Sequence, residues 1–280
     1  DGLVEVPPHE VDEPLRVPGM PEVDPIDTVD VFEVLRGYER GYEDGRSVGS
    51  ENAVPKTKRV HANEEYVWFG HAHHGKLDSI VKVKRFVDVG SEDFHSLVRL
   101  LATYVSEGSA STVETTDSKF GASIAESDVD LLEQLRRDYE RLFENTRANV
   151  IQSDSNTERT VHYRTAEGES SVSYDDKTHK VQMMNELAAV FFRGFAGQTS
   201  RGKRIPSFVF HIQPEEQDRF IELLVDGDGS RLFPRYSEEY AERNFDFETT
   251  SRELAAGLSM LLTQGGQKHS LKDRDAKGSY

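Results

Sequence analysis

Two apolar helical runs in this chain stop in the same way. "LLATYVSEG" (Leu100 to Gly108) and "IELLVDGDG" (Ile221 to Gly229) both finish on an acid followed by glycine, with Glu107 and Asp228 121 residues apart. Each acid falls at a helix C-terminus, where unsatisfied carbonyls already carry partial negative charge. A carboxylate there is unfavourable by roughly 0.3–1 kcal/mol even when exposed, so a positive group is expected beside it. The glycines read as left-handed helix stops, a conformation that is cheap only without a Cβ.

The flanks repeat as well. The spacing predicts a helix from Ser91 to Gly108, with Ser91 as N-cap and apolar residues at 94, 97, 98, 101, 104 and 105. It predicts another from Pro214 to Gly229, opened by a proline at the first helical position and two acids. After the first stop come two short strand-like runs and a long amphipathic helix beginning at Ser127. After the second, a similar stretch leads to a helix capped at Ser251 and closed by Gly265 and Gly266. The step from acid to next cap is 20 residues in one case (107 to 127) and 23 in the other (228 to 251). This is a duplicated helix, hairpin, helix unit, and two such units can pack about a pseudo-two-fold axis. An α+β fold follows.

Side-by-side parallel packing of the acid-tipped helices would bring both carboxylates to one point. There they raise each other's pKa or demand a cation. Mg²⁺ (or Mn²⁺) takes carboxylate oxygens together with waters and substrate phosphates, which suits a metal site over a phosphodiester. A lone "DGDGS" would be read as a loop, and an EF-hand fails because Arg231 stands where the loop glycine is required and Ser237 where the bidentate Glu belongs. Asp226 corresponds to Val105 and so ranks below Asp228 as a ligand.

Elsewhere the signals are thinner. Residues 1–27 form an acidic, Pro-rich leader without period. A short amphipathic helix is predicted from Thr28 to Tyr42, with Thr28 as N-cap, followed by a polar loop at 43–55. Residues 28–90 make a small accessory region in which basic and aromatic residues mix. Its "SIVKVKRFVDV" run alternates as a strand, placing Lys82 and Lys84 on one face and Arg85 on the other. That face suits phosphate contacts, and equally a solvated edge strand guarded by lysine. His71, His73 and His74 are more simply a His-rich loop than a metal site. The third region, 91–280, holds the two units, at about 91–150 and 203–280, joined by 151–202.

The net charge of −17 argues at first against nucleic acid. Arg outnumbers Lys by about two to one while Asp and Glu dominate, a pattern suited to a salt-rich, halophile-like cytoplasm. In such salt the Debye length falls to roughly 3 Å, so only short-range contacts decide DNA binding. An ordinary acidic mesophilic protein is the plainer alternative. No cysteine is present, so neither disulfides nor thiolate metal sites arise. No apolar run is long enough to span a membrane.

With "GKRIPSFVF" preceding the second motif, "LLATYVSEG" and "IELLVDGDG" resemble the paired motifs of LAGLIDADG homing endonucleases embedded in inteins. More narrowly, "YVSEGSAS", "KRIPSFVF" and "FETTSRELAAGL" resemble the inserts of inteins in B-family DNA polymerases of halophilic archaea. The resemblance covers residues 28–280. It implies two pseudo-symmetric αββα units packed through their motif helices, with a β-saddle for the major groove of double-stranded DNA, in a monomer. It implies metal ligation by Glu107 and Asp228, a catalytic role for Lys203, and the symmetrical role for Lys119. Lys82, Lys84, Arg85, Arg231, Arg235 and Lys268 are candidate DNA contacts. Val105 and Leu223 depart from the family pattern, while Ala102, Ser106 and Gly227 stay small enough for close helix approach.

The chain opens with Asp1 and closes with "KDRDAKGSY", so it lacks the residues splicing needs. It is expected to be a segment of a larger precursor, acting in cis with a splicing domain and the host protein. A DNA-binding or splicing-support module without nuclease activity is the alternative, and an acidic metal-buffering protein a more distant one.

Overall fold

The computed structural model describes residues 24–43, 55–71, 77–111, 120–152, 157–165, 168–176, 179–231 and 245–272. It is mixed α+β with antiparallel strand pairing throughout. The leader lies outside these residues except for 24–27.

The first region corrects two expectations. In place of one helix from Thr28 to Tyr42 there is a strand β1 (Thr28–Asp30), a short helix α1 (Val31–Leu35) and a strand β2 (Glu39–Glu43). Tertiary pairing overrides the helical pattern here: β1 pairs with β6 (Phe86–Asp88), and Thr28 donates its hydroxyl to Asp88 at 2.9 Å. Asp30, not Thr28, caps α1 by accepting the Phe32 amide at 2.9 Å. The "SIVKVKRFVDV" run is likewise two strands, β5 (Lys82–Lys84) and β6, parted at Arg85. The Arg85 amide bonds to the Glu65 carbonyl and its carbonyl to the Val31 amide, both at 2.8 Å.

β2, β3 (Pro55–Ala62), β4 (Tyr66–Gly70), β5 and β9 (Phe143–Glu144) form a five-stranded sheet in that order. β5 therefore has a neighbour on each side and is not the edge strand of one sequence-based reading.

The helix, hairpin, helix order occurs twice. First come α2 (Glu92–Glu107), β7 (Gly108–Ala110), β8 (Ala122–Glu126) and α3 (Val129–Leu142). Later come α5 (Pro214–Asp228), β14 (Gly229–Arg231), β15 (Phe245–Phe247) and α6 (Arg252–Gln264). β7 pairs with β8 and β14 with β15, each antiparallel. Ser251 caps α6 as expected, accepting the Leu254 amide at 3.2 Å. The cap of α3 is Asp128 rather than Ser127, because Glu126 takes the Ser127 amide at 2.6 Å and leaves Asp128 to accept from Asp130 and Leu131.

Between the repeats lie β10 (Asn149–Ile151), a hairpin of β11 (Thr157–Thr165) and β12 (Gly168–Asp176), β13 (His179–Met183) and α4 (Glu186–Ala196). β13 and β10 widen the first unit's sheet to the order β10-β13-β8-β7.

One hydrophobic core runs from Val29 to Leu262. The 28–90 region is bound into it: Arg40 and Lys58 both reach Glu186 on α4, at 2.7 and 2.5 Å. Gly194 lets α1 lie directly on α4, since a Cβ there would stand 2.2 Å from Leu35 Cδ2. Asp138, 1 % exposed, ties α3 to α2 by accepting from Ser96 Oγ at 2.9 Å and Arg99 Nε at 2.6 Å.

Candidate active site

α2 and α5 run side by side in the same direction. At their N-terminal ends His95 Nε2 meets Glu216 Oε1 at 3.3 Å, a pair 121 residues apart. At their C-terminal ends Gly227 lies against Ser106, the same interval: a Cβ on Gly227 would stand 2.3 Å from Ser106 Oγ and 2.7 Å from Ser106 Cβ. The helices present apolar faces that are fully buried, among them Leu97, Leu101 and Tyr104 on α2 and Phe220, Leu224 and Val225 on α5. Contact at both ends between residues at one interval makes the packing parallel.

The stops also match each other. Gly108 (φ −88, ψ 158) and Gly229 (φ −86, ψ 156) each turn from helix straight into a strand, with amides bonded to the Tyr104 and Val225 carbonyls. Neither is left-handed, which corrects the expected reason for glycine. Space decides instead. A Cβ on Gly108 would sit 2.2 Å from the Tyr104 ring and 2.6 Å from its carbonyl oxygen, and one on Gly229 would sit 2.6 Å from both Val225 Cγ1 and its oxygen.

Glu107 and Asp228 are thus the last residues of two neighbouring parallel helices. Glu107 is half-buried, and its Cγ lies 3.9 Å from where a Cβ on Gly227 would be. The backbone immediately before Asp228 therefore passes beside the Glu107 side chain. Asp226 is exposed, whereas the corresponding Val105 is buried at 2 %. The donor set fits a hard divalent cation: two carboxylates supply oxygen, and Mg²⁺ ordinarily completes its shell with waters and substrate phosphates. Among the described residues no group of three or more His, Asp or Glu side chains could hold a metal by itself. His71 is described; His73 and His74 are not.

The predicted basic residues divide. Lys203 is buried and donates its ammonium to the Tyr104 carbonyl, in the last turn of α2. Lys82 pairs with Glu144 at 3.0 Å and stands 4.0 Å from the centre of the Tyr66 ring. Lys84 pairs with Asp93 at 2.5 Å. Arg85 grips Asp30 at 3.0 Å and the Asn63 carbonyl at 2.9 Å, with its guanidinium over Phe86. Lys268 is exposed, beside a groove between β15 and α6. Arg231 closes β14, its backbone paired with Phe245. Lys119 and Arg235 lie outside the described residues.

Around Lys82 a small polar network forms. The Tyr66 hydroxyl donates to Glu144 at 2.5 Å, which pushes the phenol up to about 12, and the same bond, with Lys82, holds the Glu144 carboxyl below its usual range. The Tyr104 hydroxyl is pushed up by burial.

Sequence reading missed the His95–Glu216 pair and the Tyr104 carbonyl as a lysine acceptor. The equal interval of the two motifs, extended back along both helices, would have found the first. No family model and no curated protein sequence matches the chain.

Proposed function

We propose that the chain is a LAGLIDADG-type homing endonuclease, the DNA-cleaving segment of an intein within a B-family DNA polymerase of a halophilic archaeon. Its two αββα repeats form a pseudo-two-fold pair. It hydrolyses phosphodiester bonds in both strands of double-stranded DNA, with a divalent metal held by Glu107 and Asp228. The observation that carries this reading is the parallel pairing of α2 and α5 through residues at one interval, which sets two acid-bearing helix ends together. Two carboxylates and two negative helix ends gathered at one place repel, and a divalent cation bound there would offset that repulsion.

Mg²⁺ bound there supplies charge neutralisation at the scissile phosphate and a water of lowered pKa. The chain's own part is to present Glu107 and Asp228 as oxygen donors. The Ser106–Gly227 contact holds the two helix ends together, and strands leaving Gly108 and Gly229 would supply the surface on which DNA lies.

The test is Mg²⁺-dependent cleavage of the host polymerase gene with the intein sequence removed. Glu107→Gln and Asp228→Asn should each abolish cutting and leave DNA binding within a few-fold of wild type. Unchanged cleavage by both variants would end the assignment.

One observation favours a second reading, a DNA-binding or splicing-support module without nuclease activity: the lysine expected to assist hydrolysis is turned to the Tyr104 carbonyl. Specific binding of the target with no cleavage in Mg²⁺ or Mn²⁺ would select it.

A further inference from the structure

Lys203 precedes α5, yet its side chain belongs to the end of α2. It is 4 % exposed, and its Nζ lies 3.4 Å from the centre of the Tyr104 ring while donating to the Tyr104 carbonyl. That carbonyl also accepts the Gly108 amide, so it is the terminal acceptor of the helix that carries Glu107. A buried ammonium is costly unless negative potential surrounds it. A helix C-terminal carbonyl and a ring face both supply that potential.

The surrounding chain is built to hold the lysine in place. Gly197 ends α4 at φ +83, and a Cβ there would stand 1.8 Å from the Gly202 carbonyl oxygen, so only glycine allows the loop to fold back. The Arg204 amide bonds to the Ala196 carbonyl at 3.0 Å, closing that loop. Tyr104 is locked from its other end: its hydroxyl donates to the Gly197 carbonyl at 2.8 Å, and its ring stacks on Phe192 at 4.5 Å. Ser251 donates its hydroxyl to the Lys203 carbonyl at 2.5 Å while capping α6. One residue thus joins the end of the first motif helix to the start of the second unit's last helix.

We propose that Lys203 is a positioning residue, which neutralises the carbonyl end of α2 and fixes Glu107 relative to the second unit, and does not exchange a proton at the reacting phosphate. Its effect on cleavage rests on the endonuclease reading; its effect on the helix end does not. This is the positive group that an acid at a helix C-terminus requires.

The experiment compares Lys203→Met, Lys203→Gln and Lys203→Arg by thermal melting of the metal-free protein, by the NMR resonance of the Gly108 amide, and by DNA cleavage. Lys203→Met should lower the melting temperature by roughly 2–4 °C, shift the Gly108 resonance and reduce cleavage. Lys203→Arg keeps a cation that cannot give up its proton, so to the extent that it recovers the wild-type melting temperature it should recover cleavage with it. Should Lys203→Met not fold, Lys203→Gln makes the same comparison, since it too removes the charge while keeping a polar side chain in the pocket.

The proposal is overturned if the neutral variant melts like wild type with the Gly108 resonance unmoved and cleavage lost. It is equally overturned if Lys203→Arg is stable but as inactive as the neutral variant. A wild-type protein that cuts no DNA would sink the endonuclease reading alone, because melting and the amide resonance still decide where the lysine acts.

Discussion

Gly227 and Ser106 face each other so closely that one methyl group on the glycine would collide with the serine's Cβ as well as its hydroxyl. Replacing Gly227 with Ala gains about 1 kcal/mol of helix propensity, yet overpacking a close contact costs about 1–3 kcal/mol, so net destabilisation is expected. Ser106→Gly should restore part of the loss in the double variant, since it removes both atoms in conflict. Urea denaturation of the two single variants and the double variant measures the coupling. Additive effects would mean the helices are not in contact at this point.

Asp138 supports the same helix from behind. It is buried, and Arg99 is its only charged partner among the described residues. Removing Arg99 leaves a buried carboxylate with only Ser96 and Gln134 as donors. Arg99→Ala is expected to cost about 3–5 kcal/mol, far more than loss of an exposed ion pair. The midpoint of urea unfolding should fall with an unchanged slope.

The Tyr66–Glu144 bond gives stability a limit on each side. Glu144 titrates lower when folded, so its contribution is present above the unfolded carboxylate value and is lost as pH falls through the folded one. Tyr66 titrates higher when folded, so its contribution is present below pH 10 and is lost as pH climbs from 10 to about 12. Tyr139, also pushed up to about 12, by burial, behaves as Tyr66 does on the alkaline side. Tyr66→Phe should shrink the acid limb to what Lys82 still holds and leave the part of the alkaline limb that belongs to Tyr139 and to Tyr104, which burial also pushes up. Melting temperature across pH 3–11.5 reads both limbs (the range set by about one unit beyond the ordinary Asp/Glu and Tyr values).

Local signals hold where no neighbour competes for the same group. Ser91 and Ser251 cap helices because a serine hydroxyl meets an amide three residues on, a contact fixed by adjacent sequence. The repeated stop was legible for the same reason. α1 was not, because its boundaries are set by pairing between Thr28 and Asp88, 60 residues apart. The left-handed glycines were misread at the motif ends since close approach, like strand pairing, is a property of the packed chain. At the site, the paired acids could be read as two ends of one repeat. The acceptor for Lys203 lies 99 residues away on a backbone carbonyl, which no side-chain pattern can announce.

The basic residues of β5 and its neighbour lead to the last expectation. An exposed, unpaired lysine or arginine that meets a phosphate releases counterions, so removing it lowers the salt dependence of DNA binding by about one unit of slope. Lys84 and Arg85 already hold Asp93 and Asp30, and Arg85 also holds the carbonyl of Asn63, whose amide and side-chain oxygen close the turn between β3 and β4. Arg85→Ala would leave Asp30 without its cation at the start of α1, and Phe86 without the guanidinium that covers it. Its expected signature is therefore a lower melting temperature with an unchanged salt slope. Lys268, exposed, should show the reverse: unchanged melting and a reduced slope if DNA passes over α6. Binding isotherms of the Arg85→Ala and Lys268→Ala proteins on the target duplex at several salt concentrations separate the two. A reduced slope for Arg85→Ala at unchanged stability would mean that the arginine leaves Asp30 for a phosphate when DNA binds.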